Sequence, residues 1–99
     1  MNFEVISEPV VETDLNDIVK YYDSINPKLT DRFLLQFANT EIRISNLPFG
    51  FQIKYKNVRT IQLRKFPFIV HYFLNEPQKQ AVIIAVTHSR KKPTDYTLR

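Results

Sequence analysis

Apolar and polar positions alternate in NFEVIS near the amino terminus, the period of a short strand, and then the spacing changes. From Pro9 onward Val11, Leu15, Ile18, Val19 and Tyr22 recur at helical intervals and lay one apolar stripe along a helix. Proline has no N–H to donate and a φ already suited to a first helical turn, so Pro9 is placed to open this helix, which the pattern carries to Asp23 or Ser24. Asn26 followed by Pro27 gives the same signal again, a side chain able to cap and then a proline at the first helical position. Leu29, Phe33, Phe37, Ile44 and Leu47 continue at helical spacing until Pro48 stops the run. Two antiparallel helices are predicted, and the sole glycine, Gly50 in NLPFGF, marks the turn that follows them.

Beyond that turn the period becomes extended. VRTIQLRK, FPFIVHYFL and QAVIIAVTH are each about a strand long and rich in β-branched or aromatic residues. Short connections such as NEPQK join antiparallel neighbours, because a parallel pair needs a long crossover, so the three runs predict a meander. The last run is almost wholly apolar, which places it inside the sheet, covered by the helices on one face and partly covered on the other. Pro67 belongs at a strand start or a bulge. The order is β-α-α-β-β-β, an α+β fold with two antiparallel helices packed on a mainly antiparallel four-stranded sheet, one domain over residues 1–99.

Composition narrows the chemistry. The absence of cysteine removes disulfides and thiolate chemistry and fits a cytoplasmic setting, and a single glycine removes the glycine-rich phosphate loops of nucleotide-binding motifs. His71 and His88 are the only imidazoles and no carboxylates flank them at ligand spacing, so neither a metal nor another cofactor is expected. With no basic segment leading into an apolar run, and no apolar stretch near the roughly 18 residues of a membrane span, a soluble chain without a leader or membrane partner is predicted. The net charge of +4 conceals a split, with 4 Lys/Arg against 8 Asp/Glu in residues 1–50 and 10 against 2 in residues 51–99. A basic carboxy-terminal half suits a polyanion or an acidic protein partner.

The candidate binding residues are therefore Arg59, Arg64 and Lys65 around the first meander strand, and Arg90, Lys91 and Lys92 after the last. Whether they form one patch depends on strand order. His88 stands where an apolar strand meets the second cluster, and histidine is the side chain that exchanges a proton near neutral pH. His71, which alternates with Ile69 and Phe73, reads as a packed or hydrogen-bonded core histidine. Tyr96 offers a hydroxyl or a stacking ring, Phe66 and Phe68 read as core, and Asp14 and Asp17 read as the solvated face of the first helix.

Taken together, VRTIQLRKFPFIVHYFL and AVIIAVTHSRKKP resemble the RelE/ParE superfamily of toxins from bacterial type II toxin–antitoxin systems. DLNDIVKYY, NPKLTDRFLLQF and NLPFGF extend the similarity over nearly the whole chain. The resemblance implies a growth-inhibiting toxin, of a kind linked to plasmid stabilisation, bound and neutralised in a hetero-oligomer by a cognate antitoxin usually encoded beside it. Some relatives cut mRNA on the ribosome and others inhibit DNA gyrase. Where the ribonuclease relatives carry a lysine pair and an arginine, this chain has Thr60, Gln62 and Ile69, which leaves a ribonuclease only the partial set His88, Arg90 and Tyr96. The VR, FPF and H-x-R-x-x-P elements are closer to the ParE-like branch, whose target is gyrase or unknown. Three readings follow: a ParE-like toxin, a ribosome-dependent endoribonuclease, or a non-toxic nucleic-acid-binding module of the same fold.

Overall fold

The computed structural model describes residues 2–90, so Lys91, Lys92 and Tyr96 lie outside the described residues. Its elements are β1 (Glu4–Ser7), α1 (Pro9–Ile25), α2 (Pro27–Asn46), β2 (Ile53–Tyr55), β3 (Val58–Gln62), β4 (Phe68–Asn75) and β5 (Gln80–His88). Pro9 and Pro27 both open their helices as the sequence predicts. Asn26 alone joins them: its N–H closes α1 on the Tyr22 carbonyl, while its side chain accepts the Lys28 N–H at 3.0 Å and caps α2. A one-residue link forces the helices into a hairpin.

The buried stripes, Val11, Ile18 and Tyr22 on α1 and Phe33, Phe37 and Ile44 on α2, meet one face of the sheet. Leu47, predicted to continue the second stripe, is instead the exposed C-cap residue. Beneath the hairpin tip the rings of Tyr22, Phe33, Phe66 and Phe68 pack at centroid distances of 5.4 to 6.2 Å, mostly edge to face. Each such pair contributes roughly 0.5–1.5 kcal/mol beyond its buried area. Phe68 is buried and Phe66 half-buried, in keeping with their reading as core.

The sheet has five strands in the order β1-β5-β4-β3-β2, with β1 parallel to β5 and the other pairings antiparallel. This corrects the four-stranded expectation, and the added strand is β2. It is only three residues long and turns into β3 through Lys56, whose φ of 48° lies in the left-handed region that usually calls for glycine. The chain therefore lacks the usual sequence mark of a hairpin. The parallel pairing arises because the whole helical hairpin lies between β1 and the meander, long enough to return the chain beside β5.

A bulge shapes the sheet's interior. His71 opposes Ala85 and Tyr72 opposes Ile83, so Ile84 is the extra residue. Beyond the end of β1 the edge of β5 has no strand partner among the described residues, and the Asp14 carboxylate accepts the Val86 N–H there at 2.9 Å. Asp14 is thus half-buried and structural, not the solvated residue its helical spacing suggested. No helix among the described residues is long and apolar enough to cross a membrane.

Candidate functional site

Strand register decides which predicted residues share a surface. The start of β4 lies beside the end of β5, since Phe68 pairs with His88 and the Ser89 N–H donates to the Pro67 carbonyl at 2.8 Å. Pro67, lacking an N–H, sits just ahead of β4, one of the two places open to it. The β3–β4 turn, which carries exposed Arg64 and Lys65, therefore stands at the same end of the sheet as exposed Arg90. The tip of the helical hairpin closes over this end through the ring contacts of Tyr22 and Phe33 with Phe66.

Arg59 is elsewhere. It lies toward the opposite end of β3, paired with Tyr72, and its guanidinium donates to the carbonyls of Phe49 (3.2 Å) and Phe51 (2.7 Å) while stacking over the Phe49 ring at 5.4 Å. A guanidinium held by two carbonyls and a ring anchors the loop between α2 and β2. Tyr72 serves the same loop from β4, its hydroxyl donating to the Pro48 carbonyl at 2.8 Å. Burial pushes the Tyr72 phenol up to about 12, with Arg59 nearby pulling the other way. Gly50 suits this loop because a Cβ there would meet the Leu47 side chain and carbonyl at 3.2 Å.

His88 is half-buried. Its ring meets Phe68 edge-on at 5.4 Å, and its Nδ1 accepts the Arg90 N–H at 3.0 Å, which leaves the ring proton on Nε2. The ring forms one wall of a groove of about 440 Å3, bounded by the end of α1 and the start of β4, with Tyr21, Tyr22, Ile25 and Phe68 among its other walls. His88 and Arg90 are thus brought together by the backbone, at the boundary between an apolar groove and a basic turn.

His71 is wholly buried, with Nε2 2.8 Å from the Thr87 hydroxyl and Nδ1 3.2 Å from the Tyr55 hydroxyl. This is the hydrogen-bonded core histidine that strand alternation predicts. Tyr55 and Thr87 were not among the residues singled out from the sequence. Tyr55 belongs to the unpredicted β2, and Thr87 is diagonal to His71 across two strands, a relation set by register. Thr60 pairs with His71 and Gln62 with Ile69 on adjacent strands. The Gln62 amide is engaged with the Phe66 and Phe68 carbonyls at 2.7 and 3.1 Å, so it staples the β3–β4 turn. Among the described residues no group of three His, Asp or Glu side chains could hold a metal ion.

No known family model matches the chain, and no curated protein matches its sequence. Solved structures do match its fold. A chromosomal ParDE toxin–antitoxin system from P. aeruginosa superposes with a TM-score of 0.75 at 16% identity, covering 87% of this chain and 95% of that one. The toxin–antitoxin complex RelBE2 from Mycobacterium tuberculosis gives 0.58 at 15% identity, covering 89% and 99%. The isolated RelE toxin of E. coli gives 0.59 at 9% identity, covering 97% and 94%. Of these three, the ParDE structure superposes best.

Proposed function

We propose that this chain, which carries the RelE/ParE fold, is the toxin component of a type II toxin–antitoxin system, and that it acts as a ParE-like inhibitor of DNA gyrase without cleaving RNA. One observation carries the non-catalytic half of this reading. The three places where the resemblance expects a ribonuclease's cations hold Thr60, Gln62 and Ile69, and the Gln62 side chain is committed to the carbonyls of its own turn. Cleavage of a phosphodiester needs fixed positive charge where the phosphate develops negative charge, and these residues supply none. His88 is engaged with an aromatic ring and a backbone N–H, an environment for packing and binding.

The chain is then a growth inhibitor held inactive by an antitoxin, and its surface does its work by protein contact. Induction in a bacterial host arrests growth, and the purified chain blocks supercoiling by gyrase while translating ribosomes yield no new mRNA ends by primer extension. New ends that vanish in His88→Ala and Arg90→Ala would replace this reading with the ribosome-dependent ribonuclease of His88, Arg90 and Tyr96. Harmless induction would leave a nucleic-acid-binding module of the same fold.

A further inference from the structure

The hairpin tip and the β3–β4 turn leave two neighbouring grooves. The first, about 440 Å3, has walls of Tyr21, Ile25, Pro67, Phe68 and His88. The second, about 380 Å3, is walled by Leu29, Leu35 and Phe66 together with Arg32 and Lys65. Adjacent Phe66 and Pro67 belong one to each, so that pair forms the ridge between them. Tyr21, Ile25 and Leu35 are about 60% exposed although the chain has a formed hydrophobic core. Large apolar side chains gathered around concave surfaces mark a place for another molecule.

Charge says what kind. Arg32 and Lys65 line the second groove, Arg64 adjoins Lys65 in the turn, and Arg90 follows His88 by two residues, whereas Asp17 is the one acidic side chain among the described residues of either lining. Lys65 is held at a φ of 66°, a left-handed conformation that costs a lysine roughly 1 kcal/mol. No ion pair or side-chain hydrogen bond of its ammonium within the described residues offsets that cost. Apolar walls of leucine and isoleucine offer nothing to a phosphate backbone, and they match the aliphatic or aromatic anchors of a peptide.

We infer that the two grooves form one docking surface for an acidic amphipathic segment of a partner protein, with bulky apolar side chains in the grooves and carboxylates against Arg32, Lys65 and Arg90. The inference rests on the toxin reading, which makes the antitoxin the occupant. Arg59, fastened to its own loop, takes no part in this contact.

The test uses the full chain and the small protein encoded beside it, with growth on induction and calorimetric affinity read in parallel. Ile25→Glu places a charge at an exposed position of the first groove, and Lys65→Gly removes a cation while relieving the left-handed backbone, so the second variant folds at least as well as the wild type. Both variants are expected to arrest growth, to escape rescue by the neighbour, and to bind it about tenfold or more weaker. Affinities equal to wild type in both variants would overturn the docking surface and leave the toxin reading standing. A wild-type chain that arrests no growth would overturn the toxin reading and the antitoxin as occupant. Single-stranded RNA bound as tightly as the neighbour, and lost in the same variants, would overturn a protein occupant.

Discussion

Replacing Tyr72 with phenylalanine separates two contributions of one hydroxyl. The ring is fully buried, and its O–H donates to the Pro48 carbonyl at 2.8 Å, so Tyr72→Phe removes a buried donor and deprives that carbonyl of it. A loss of about 1–2 kcal/mol at neutral pH is expected. The second contribution appears in alkali. Burial raises the phenol to about 12 in the folded chain, whereas in the unfolded chain it titrates near 10. Between these values the unfolded chain has released the proton and the folded chain still holds it. The folded state then binds more protons, and stability falls as pH rises. The hydroxyl's share is complete below pH 10 and is lost on passing through 12. At pH 11 this amounts to roughly 1–2 kcal/mol, which the phenylalanine variant cannot lose because it has nothing to titrate. The stability gap between the two proteins should therefore shrink to near zero from pH 8 to pH 11. Urea unfolding followed by far-ultraviolet circular dichroism at pH 8, 9.5 and 11 measures it, and taking the difference cancels the alkaline titration of the other tyrosines and lysines. A gap that stays constant or widens toward pH 11 would refute the claim that this phenol is buried as a donor to Pro48.

Three further outcomes follow from the packing. Phe33→Ala empties the centre of the aromatic cluster, where Phe33 is wholly buried against Tyr22, Phe66 and Phe68, and should cost about 3–5 kcal/mol in denaturant unfolding. His71→Leu removes the partner that the Thr87 and Tyr55 hydroxyls share and should cost about 2 kcal/mol, less in a Thr87→Val background, a coupling that a double-mutant cycle reads directly. Lys79→Gly, at a φ of 52° in the β4–β5 turn, should raise the urea midpoint by an amount worth roughly 0.5–1 kcal/mol; a lower midpoint would show that the lysine side chain stabilises the turn.

Local signals with a direct mechanism were readable. The two prolines at helix starts, the capping Asn26 and the apolar stripes of α1 and α2 act within one or two helical turns, so spacing alone exposes them. The meander was equally plain, because β3, β4 and β5 are joined by short turns and carry β-branched and aromatic runs. β2 escaped notice for a definite reason. Among the described residues the positive-φ positions, Lys56, Lys65 and Lys79, are lysines in hairpin turns, where a glycine at that position would have announced the turn. Asp14 was misread because its partner, the Val86 N–H, lies far along the chain.

By itself the sequence determined the element order, the absence of thiol and glycine-loop chemistry, the charge split between the halves and the family resemblance, since each depends on residue identity or on neighbours close in the chain. Only the tertiary structure decided which of the described cations lie at the same end of the sheet. The register that sets Phe68 beside His88 brings Arg64, Lys65 and Arg90 to one end of the sheet, while the Phe49 and Phe51 carbonyls hold Arg59 back toward the other. The physical reason is that a strand's residue types predict a strand, but its neighbour and register are chosen by long-range packing, and surfaces are made by neighbours.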